Sequence, residues 1–600
     1  MSISKRPFLL AAASLACAAA GVAEPNPLRD AYFGDTHVHT SYSLDAYIAG
    51  TRLDPVLALE YAQGNPVELP DGRTLQIDRP LDFTVIADHA EYIGEMYSAI
   101  YPDAPGHDHP DLVNLRNLTD IHERQQWFVK YVVSSNRSAT PQHPQFWAGQ
   151  ETTDTAWQRN IAAANAANKP GAFSAMIGYE WSAAPNGSNL HRIIIFRDEN
   201  APADIVSYVD INQEEKLWEW MQEQENQGYR LLAIPHNSNA AKGRMFPDTD
   251  SFGEPIDLDY ARMRSKYEPL FEIMQAKGNS EAHENFWPDD EFAGFENANS
   301  IQNFSDRTYS GRDFYRGGLG AGLQHQQALG VNPFAYGITG GTDTHNGTPG
   351  DVKESTFAGS HGDEDGTAER RREGGLMGWI AGPDIAAGSL AGVWATENTR
   401  EAIFDAMMRK ESFATSGPRI KIRMFGGVGL SDPQDPESMV RDGYMRGIHM
   451  GGTLANASAN PTFTLYAEKD PEGANLDRIQ IIKGWVDADG TLHEEIINAV
   501  WSGDRSIGAD GSLDPVGNTV NLETADYSND IGAPTLMGSW TDESFDPQRP
   551  AYYYARALEI PTPRWSTYDS AASGEGLIEG VEAVIQERAW GSPIFHRPGG

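Results

Sequence analysis

Phe33-Gly34-Asp35-Thr36-His37-Val38-His39-Thr40 places two histidines two residues apart behind an apolar, β-prone lead-in. In an extended segment residues i and i+2 share a face, so His37 and His39 present two imidazoles to one cavity. Four other pieces also follow short apolar runs: Asp88-His89 after 81–87, Glu180 with His191 after 173–178, His236 after 230–235, and Asp343-Thr344-His345 after 334–339. Such runs read as buried parallel strands. In a β/α barrel the C-terminal ends of successive strands converge on one mouth, so ligands distant in sequence meet there. That predicts a polynuclear metal site. Imidazole and carboxylate together suit Zn, Mn and Fe, and the chain has a single cysteine, so a thiolate cluster is excluded.

The same motifs, in this order over roughly residues 30 to 420, resemble the PHP (polymerase and histidinol phosphatase) superfamily of metallohydrolases. The matching segments are Gly34 to Thr40, Ile86-Ala87-Asp88-His89, Gly178-Tyr179-Glu180-Trp181-Ser182 running on to His191, Ile234-Pro235-His236-Asn237, and Gly341-Thr342-Asp343-Thr344-His345. The chain is similar to large exported bacterial members of that superfamily whose substrates are largely unassigned. The resemblance implies an α/β fold, a distorted (β/α)7 barrel over 30–417, with two or three divalent ions (Mn, Fe or Zn). One ion would be held by His37, His39, Glu180 and Asp343. A second would use Glu180 as a bridge with His191 and His236, and a third Asp45, His89 and His345. Ser43-Leu44-Asp45-Ala46 reads equally as a helix N-terminus that Asp45 only caps, which would leave a dinuclear site. Asp35 and Asp88, which precede histidine ligands, are expected to orient imidazoles by hydrogen bonds.

Three divalent ions against Asp45, Glu180 and Asp343 leave about three units of positive charge, a site for a small anionic ester. Such a centre lowers the pKa of bound water and clamps phosphoryl oxygens. The expected activity is therefore phosphoester hydrolysis by a metal-bridging hydroxide, with Asp343, Glu180 and His236 at the reacting centre. Arg192, beside His191, and Lys242 and Arg244, shortly after His236, are candidates to grip the substrate, or equally solvated loop cations. Carbamate, amide, carboxylic ester or sulfate ester hydrolysis would use the same site. From a different class, a non-catalytic metal- or anion-binding protein would keep the ligands without turnover.

Residues 1–23 read as a secretory signal: Lys5 and Arg6, an alanine-rich apolar run over 8–20, and Gly21-Val22-Ala23 as a cleavage site. Cys17 lies inside it, so acylation as a lipoprotein is the second reading and the mature chain would have no disulfide. The expected location is periplasmic or secreted, and no later stretch is apolar enough to span a bilayer. Losing Lys5 and Arg6 takes the formal charge from −39 to −41. A chain this acidic without a basic patch is not expected to bind nucleic acid.

Strand-like runs over 191–196 and 270–275 alternate with a helical stretch over 212–227, with Asn212 as its cap. Insertions near 99–169, 278–331 and 347–392 interrupt the pattern and are expected to shape the pocket. A helix is expected over 399–410 with Thr399 as its cap. After Ser416-Gly417-Pro418 the style becomes β-rich, with strands expected near 420–425, 462–466, 479–482 and 552–560, and a last one near 589–595 packing back. A β-sandwich-like domain within 418–600 is expected. Gly318-Leu319-Gly320-Ala321-Gly322 reads as the opening of a helix that runs to Leu329, not as a dinucleotide loop.

Overall fold

The computed structural model describes residues 25–598 apart from 70–71, 134, 136–139, 305–307, 377–378, 456 and 510. The expected signal segment, with Cys17, lies outside the described residues. The chain is mixed α/β, built around one large mixed sheet. Among the described residues no helix is long and apolar enough to cross a membrane.

In the N-terminal half, Asp30–Val38 runs antiparallel to Leu390–Ala395 on one side and parallel to Phe83–Ile86 on the other. Phe83–Ile86 is parallel to Ser174–Trp181. Every residue of Ser174–Trp181 is buried, because both faces of the strand are covered. Its alternate side chains reach different cores: Ala175, Ile177 and Tyr179 join one with Trp157, while Met176 joins Ile193, Leu232 and the helix Arg400–Met408 in another. Leu270–Glu272 pairs in parallel with Gly337–Thr339. Just beyond, Asp343 N donates to His37 O and His39 N to Thr344 O, both at 2.9 Å. The last motif is thereby fastened to the first.

The expectation that all these strands are parallel does not hold. Arg192–Phe196 runs antiparallel to Ser174–Trp181, and Leu231–Pro235 antiparallel to Arg192–Phe196. The connection from Trp181 to Arg192 has no helix that could cross back over the sheet, only a short turn, so the chain simply reverses. The helix expected over 212–227 is Glu214–Asn226, and Gln213, not Asn212, is its N-cap residue. Thr399 does cap Arg400–Met408, its side chain accepting from Ala402 N. The glycine run lies inside Tyr315–Leu329 instead of opening it. There it permits close packing: a Cβ at Gly318 would meet the Phe246 ring at 2.6 Å.

The insertions contain structure as well as loops. Residues 99–169 contribute the helices Pro110–Asn117, Ile121–Phe128 and Gln150–Ala167. Past Pro418, Lys421–Gly427, Thr462–Glu468 and Thr535–Thr541 form a sheet with Ile448–His449. Leu476–Val486, Ala551–Glu559, Arg588–Gly591 and Ile594–Arg597 instead join the large sheet, which passes from Ser412–Thr415 directly to Arg588–Gly591. Ile422, Met424, Phe463 and Leu465 of the smaller sheet share one core with Ile479, Ile481, Tyr553 and Ala555 of the larger.

Polar groups also join the early and late segments. Arg556 donates to Asp290 at 2.8 Å and to Glu281 at 3.2 Å, and Arg316 donates to Glu281 at 3.0 Å. Trp590 Nε1 donates to Glu281 Oε2 at 2.7 Å. Burial alone would raise the Glu281 carboxyl, but the charges of Arg556 and Arg316 outweigh it and hold the group at about 2, below its ordinary 4.5. A depressed carboxyl contributes stability that is complete above its unfolded pKa and lost as the pH falls through the folded value. The network should therefore support the fold fully above about pH 4.5 and fail towards pH 2. Replacing Arg556 with Met leaves two buried carboxylates short of a counter-charge, and should cost about 3–5 kcal/mol near neutral pH. Denaturant titration followed by tryptophan fluorescence tests both, and a midpoint unchanged by the substitution would contradict the account.

Candidate metal centre

The sequence places the histidines and carboxylates at strand ends, and the fold brings them together. Glu180, near the end of Ser174–Trp181, is the hub. Its Oε1 lies 2.6 Å from His191 Nδ1 and 3.0 Å from His236 Nε2. Its Oε2 lies 2.9 Å from His89 Nδ1, 3.3 Å from His39 Nε2 and 3.6 Å from His37 Nε2. Asp343 Oδ1 closes the other side, 3.1 Å from His39 Nε2 and 3.3 Å from His37 Nε2. Asp343 holds a left-handed backbone (φ 52°), a conformation costly for a non-glycine residue and concentrated at functional sites.

Asp45 belongs to the same cluster. Ser43 is the N-cap residue of Leu44–Ala49, and Asp45 sits in its first turn, accepting from Ala46 N at 2.9 Å. Its other oxygen, Oδ2, lies 3.1 Å from His89 Nε2 and 3.3 Å from His345 Nε2. The helix start and the cluster thus use different oxygens of one carboxylate. Among the described residues, three groups could hold an ion: His37, His39 and Asp343; His37, Glu180 and His236; and His39, His89 and His345.

The supporting hydrogen bonds differ from the expectation. Asp35 does not touch an imidazole; it accepts from His37 N, Thr342 N, Thr342 Oγ1 and Gly350 N. Asp88 accepts from Thr40 N, Thr40 Oγ1 and Ser43 Oγ, and reaches His39 only through Ser43, whose Oγ is 2.8 Å from His39 Nδ1. Both carboxylates fix loop backbone; Asp88 does so because the side chain immediately preceding a strand-end histidine points to the opposite face, whereas Asp35, two residues before His37, lies where the pairing of its strand with Phe83–Ile86 shifts register. The direct partner of His37 is Glu272, both of whose oxygens are 3.1 Å from Nδ1. Gly341 makes room for this contact: a Cβ there would lie 2.5 Å from Glu272 Oε2 and 2.6 Å from His37 Cβ.

Arg192 does not face the cluster. It alternates with His191 on the chain and is enclosed on the other side, donating to Glu268 at 3.0 Å and pairing with Glu214. Arg244 is exposed on the loop after His236, where Lys242 donates to Asn186 O at 3.2 Å. Besides Glu272, two neighbours escaped the sequence reading. Lys277 Nζ forms an ion pair with Asp343 Oδ2, and the buried His361 ring stacks on His345 with centroids 4.3 Å apart.

Burial and mutual charge set the protonation pattern. Burial opposes ionisation of Glu180, but His89 and His191 hold its carboxyl well below the usual range. Burial pushes His191 down to about 3 and His345 to about 4, and lowers His236 and His39 as well. Burial would lower His37 and His89 too, yet Glu272 and Glu180 lift His37 to about 9, and Asp45 and Glu180 hold His89 well above its ordinary value. Ionised carboxylates beside neutral His39, His191, His236 and His345 are the state in which these side chains bind a cation, and His37 and His89 would each release a proton to join them. The fit to divalent ions rests on geometry as well. Glu180 Oε2 and Asp343 Oδ1 are buried and accept no hydrogen bond, while the His37 and His39 Nε2 atoms stand 3.1 Å apart beside them. Buried oxygens left without donors are costly unless a cation meets them.

Comparison with known proteins adds the following. The chain is similar to a solved structure, a two-domain protein from Bacteroides vulgatus ATCC 8482 containing a predicted PHP-like metal-dependent phosphoesterase. The identity is 10% and the TM-score 0.29, over 94% of this chain and 98% of that one. No curated protein matches. The family model described as "Protein of unknown function (DUF3604)" matches residues 26–598, and the chain belongs to that family.

Proposed function

We propose that the protein is an exported metal-dependent phosphoesterase of the PHP type, acting on a small anionic ester. The observation that carries this reading is the pair of buried, donor-less oxygens, Glu180 Oε2 and Asp343 Oδ1, ringed by imidazoles. His37, His39, Glu180 and Asp343 would hold one ion, Glu180, His191 and His236 a second, and Asp45, His89 and His345 a third. Divalent ions there, Mn, Fe or Zn, supply Lewis acidity: activation of water near neutral pH and charge neutralisation on a phosphoryl group. The same reading takes residues 30–417 as a distorted barrel and 418–600 as a β-sandwich-like unit with its tail.

The chain's own side chains then divide the work. Glu180 spans the cluster, with one oxygen toward His191 and His236 and the other toward His37, His39 and His89. Glu272 holds the His37 ring from behind. The approach for substrate lies where the cluster is open: the side chains of Asp45 (22% exposed), His89 (15%), His191 (11%) and Lys277 (10%) reach solvent. Lys277, beside Asp343, is the cation placed to meet an anionic ester there, a role Arg192 is too enclosed to fill. Lys242 and Arg244 lie on the loop that follows His236 and would meet the more distant substrate charge.

The test is hydrolysis of aryl phosphate mono-, di- and triesters by metal-reconstituted protein. Turnover should disappear in Asp343→Asn and His37→Ala, with metal content measured by mass spectrometry falling in parallel. Intact turnover in both variants would refute the assignment. If wild-type protein retains metal yet cleaves none of the phosphates, the phosphoester reading fails, and carbamates, amides and sulfate esters become the substrates to assay. Glu272→Gln should leave the fold intact but weaken metal affinity or activity by about 10–100-fold, as loss of an imidazole's supporting carboxylate does. Unchanged affinity and rate would show that His37 needs no such support.

A further inference from the structure

His361 stands at the open side of the metal centre without belonging to it. Its ring stacks on that of His345, with centroids 4.3 Å and planes 17° apart. It lies within electrostatic range of Asp45 and Lys277, two of the side chains through which the cluster reaches solvent. Yet among the described residues it is in none of the three groups that could hold an ion.

The loop that carries it is tied down at every step. Asp365 accepts from Ser360 N at 2.7 Å and from His361 N at 2.8 Å. Gly359 permits that approach, since its backbone is left-handed (φ 88°) and a Cβ there would lie 2.5 Å from Asp365 Oδ1. The last metal motif holds the same loop from the other side. His345 N donates to Ser360 O at 2.7 Å, Asn346 Nδ2 to Gly359 O at 2.8 Å, and Gly362 N to Asn346 Oδ1 at 2.6 Å.

The ring itself is fixed by one edge. Ser360 Oγ lies 2.7 Å from His361 Nδ1 and 3.3 Å from Asp365 Oδ2. A hydroxyl has one proton, and the nearer partner of Ser360 is the imidazole, so Nδ1 accepts and Nε2 carries the ring hydrogen. Among the described residues Nε2–H has no acceptor, although the residue is only 7% exposed. A donor left unpaired on a nearly buried side chain is costly unless a ligand meets it. The donor-less oxygens of Glu180 and Asp343 require a cation, whereas this N–H, a few ångströms along the same mouth, requires an acceptor. A donor locked in orientation before the ligand arrives loses little freedom on binding.

We infer that His361 is a substrate-binding residue of this centre, its Nε2–H donating to an oxygen of the anionic ester beside Lys277. The inference rests on the hydrolase reading and adds to it a directional donor, where Lys277 supplies charge.

Titration calorimetry of the metal-loaded, full-length protein with inorganic phosphate, run beside hydrolysis of the aryl phosphate panel, tests it. His361→Phe keeps the stack on His345 and removes both nitrogens, while His361→Gln returns a donor. Metal content should be unchanged in both. Phosphate affinity and kcat/KM should fall about 10–100-fold in His361→Phe, the loss expected for a hydrogen bond to a charged group, and should be intermediate in His361→Gln. Ser360→Ala, which releases the ring, should weaken phosphate binding by a smaller factor. Wild-type values in His361→Phe would overturn the inference and leave the hydrolase reading standing. Loss of metal from His361→Phe would also overturn it, by showing that the ring only packs against His345. Wild-type protein that retains metal but neither binds phosphate nor cleaves the esters would remove the hydrolase reading and this inference with it. Should His361→Phe fail to fold, unchanged phosphate affinity in Ser360→Ala and His361→Gln would be equally decisive against it.

Discussion

A carboxylate can be removed from water only if opposite charge or donors surround it, and Glu180 imposes that condition on the whole N-terminal half. Its side chain gathers His37, His39, His89, His191 and His236 from separate segments of the chain. Its backbone is equally committed: Glu180 N donates to Asp88 O at 3.0 Å, and Ala90 N donates to Glu180 O at 2.8 Å. The loop bearing His89 is therefore stitched to the strand bearing Glu180, extending the pairing of Phe83–Ile86 with Ser174–Trp181 past the strand end. The site and the sheet are specified by the same residues.

How much of this is legible from sequence follows from which contacts are local. His37 with His39 follows from the two-residue period of extended chain, whereas Asp343, left-handed and beyond the end of Gly337–Thr339, reaches the cluster from a loop; a short apolar run in front of each motif marks the strand end. Glu272 could not be found that way. It lies in a run too short to show a period, and its role depends on Leu270–Glu272 pairing with Gly337–Thr339 and on Gly341 leaving space for it. Lys277 and His361 are likewise placed by tertiary packing beside Asp343 and His345. The expectation for Arg192 overlooked the same alternation that served elsewhere. With His191 turned to the cluster, its neighbour had to face away, towards Glu214 and Glu268.

The acidic composition takes on a different meaning once burial is known. Part of the negative charge is internal, where Glu214, Glu268, Glu281 and Asp290 are each matched by a buried arginine. Glu281 and Asp290 come from the insertion near 278–331 that was expected to shape the pocket, yet they tie it to Arg556 on a late strand. A Gly-, Asp- and Asn-rich segment can still be structural when its carboxylates find partners elsewhere in the chain. Composition reports how polar such a segment is but not where its charges end up.

The carboxylates of the cluster depart from that rule of internal matching. Glu180 and Asp343 face His39, His191 and His236, borderline donors to a metal that burial holds towards the neutral form, and positive charge comes only from Lys277 beside Asp343 and from the raised His37 and His89. Among the described residues no arginine is set against these carboxylates, although arginines serve structural pairs such as Arg316 with Glu281. Incomplete internal pairing of this kind is costly to the fold on its own. It becomes favourable when a cation from outside completes the set, and the chemistry of the remaining wall decides which cation fits. Imidazole nitrogens 3.1 Å apart suit a small borderline metal ion.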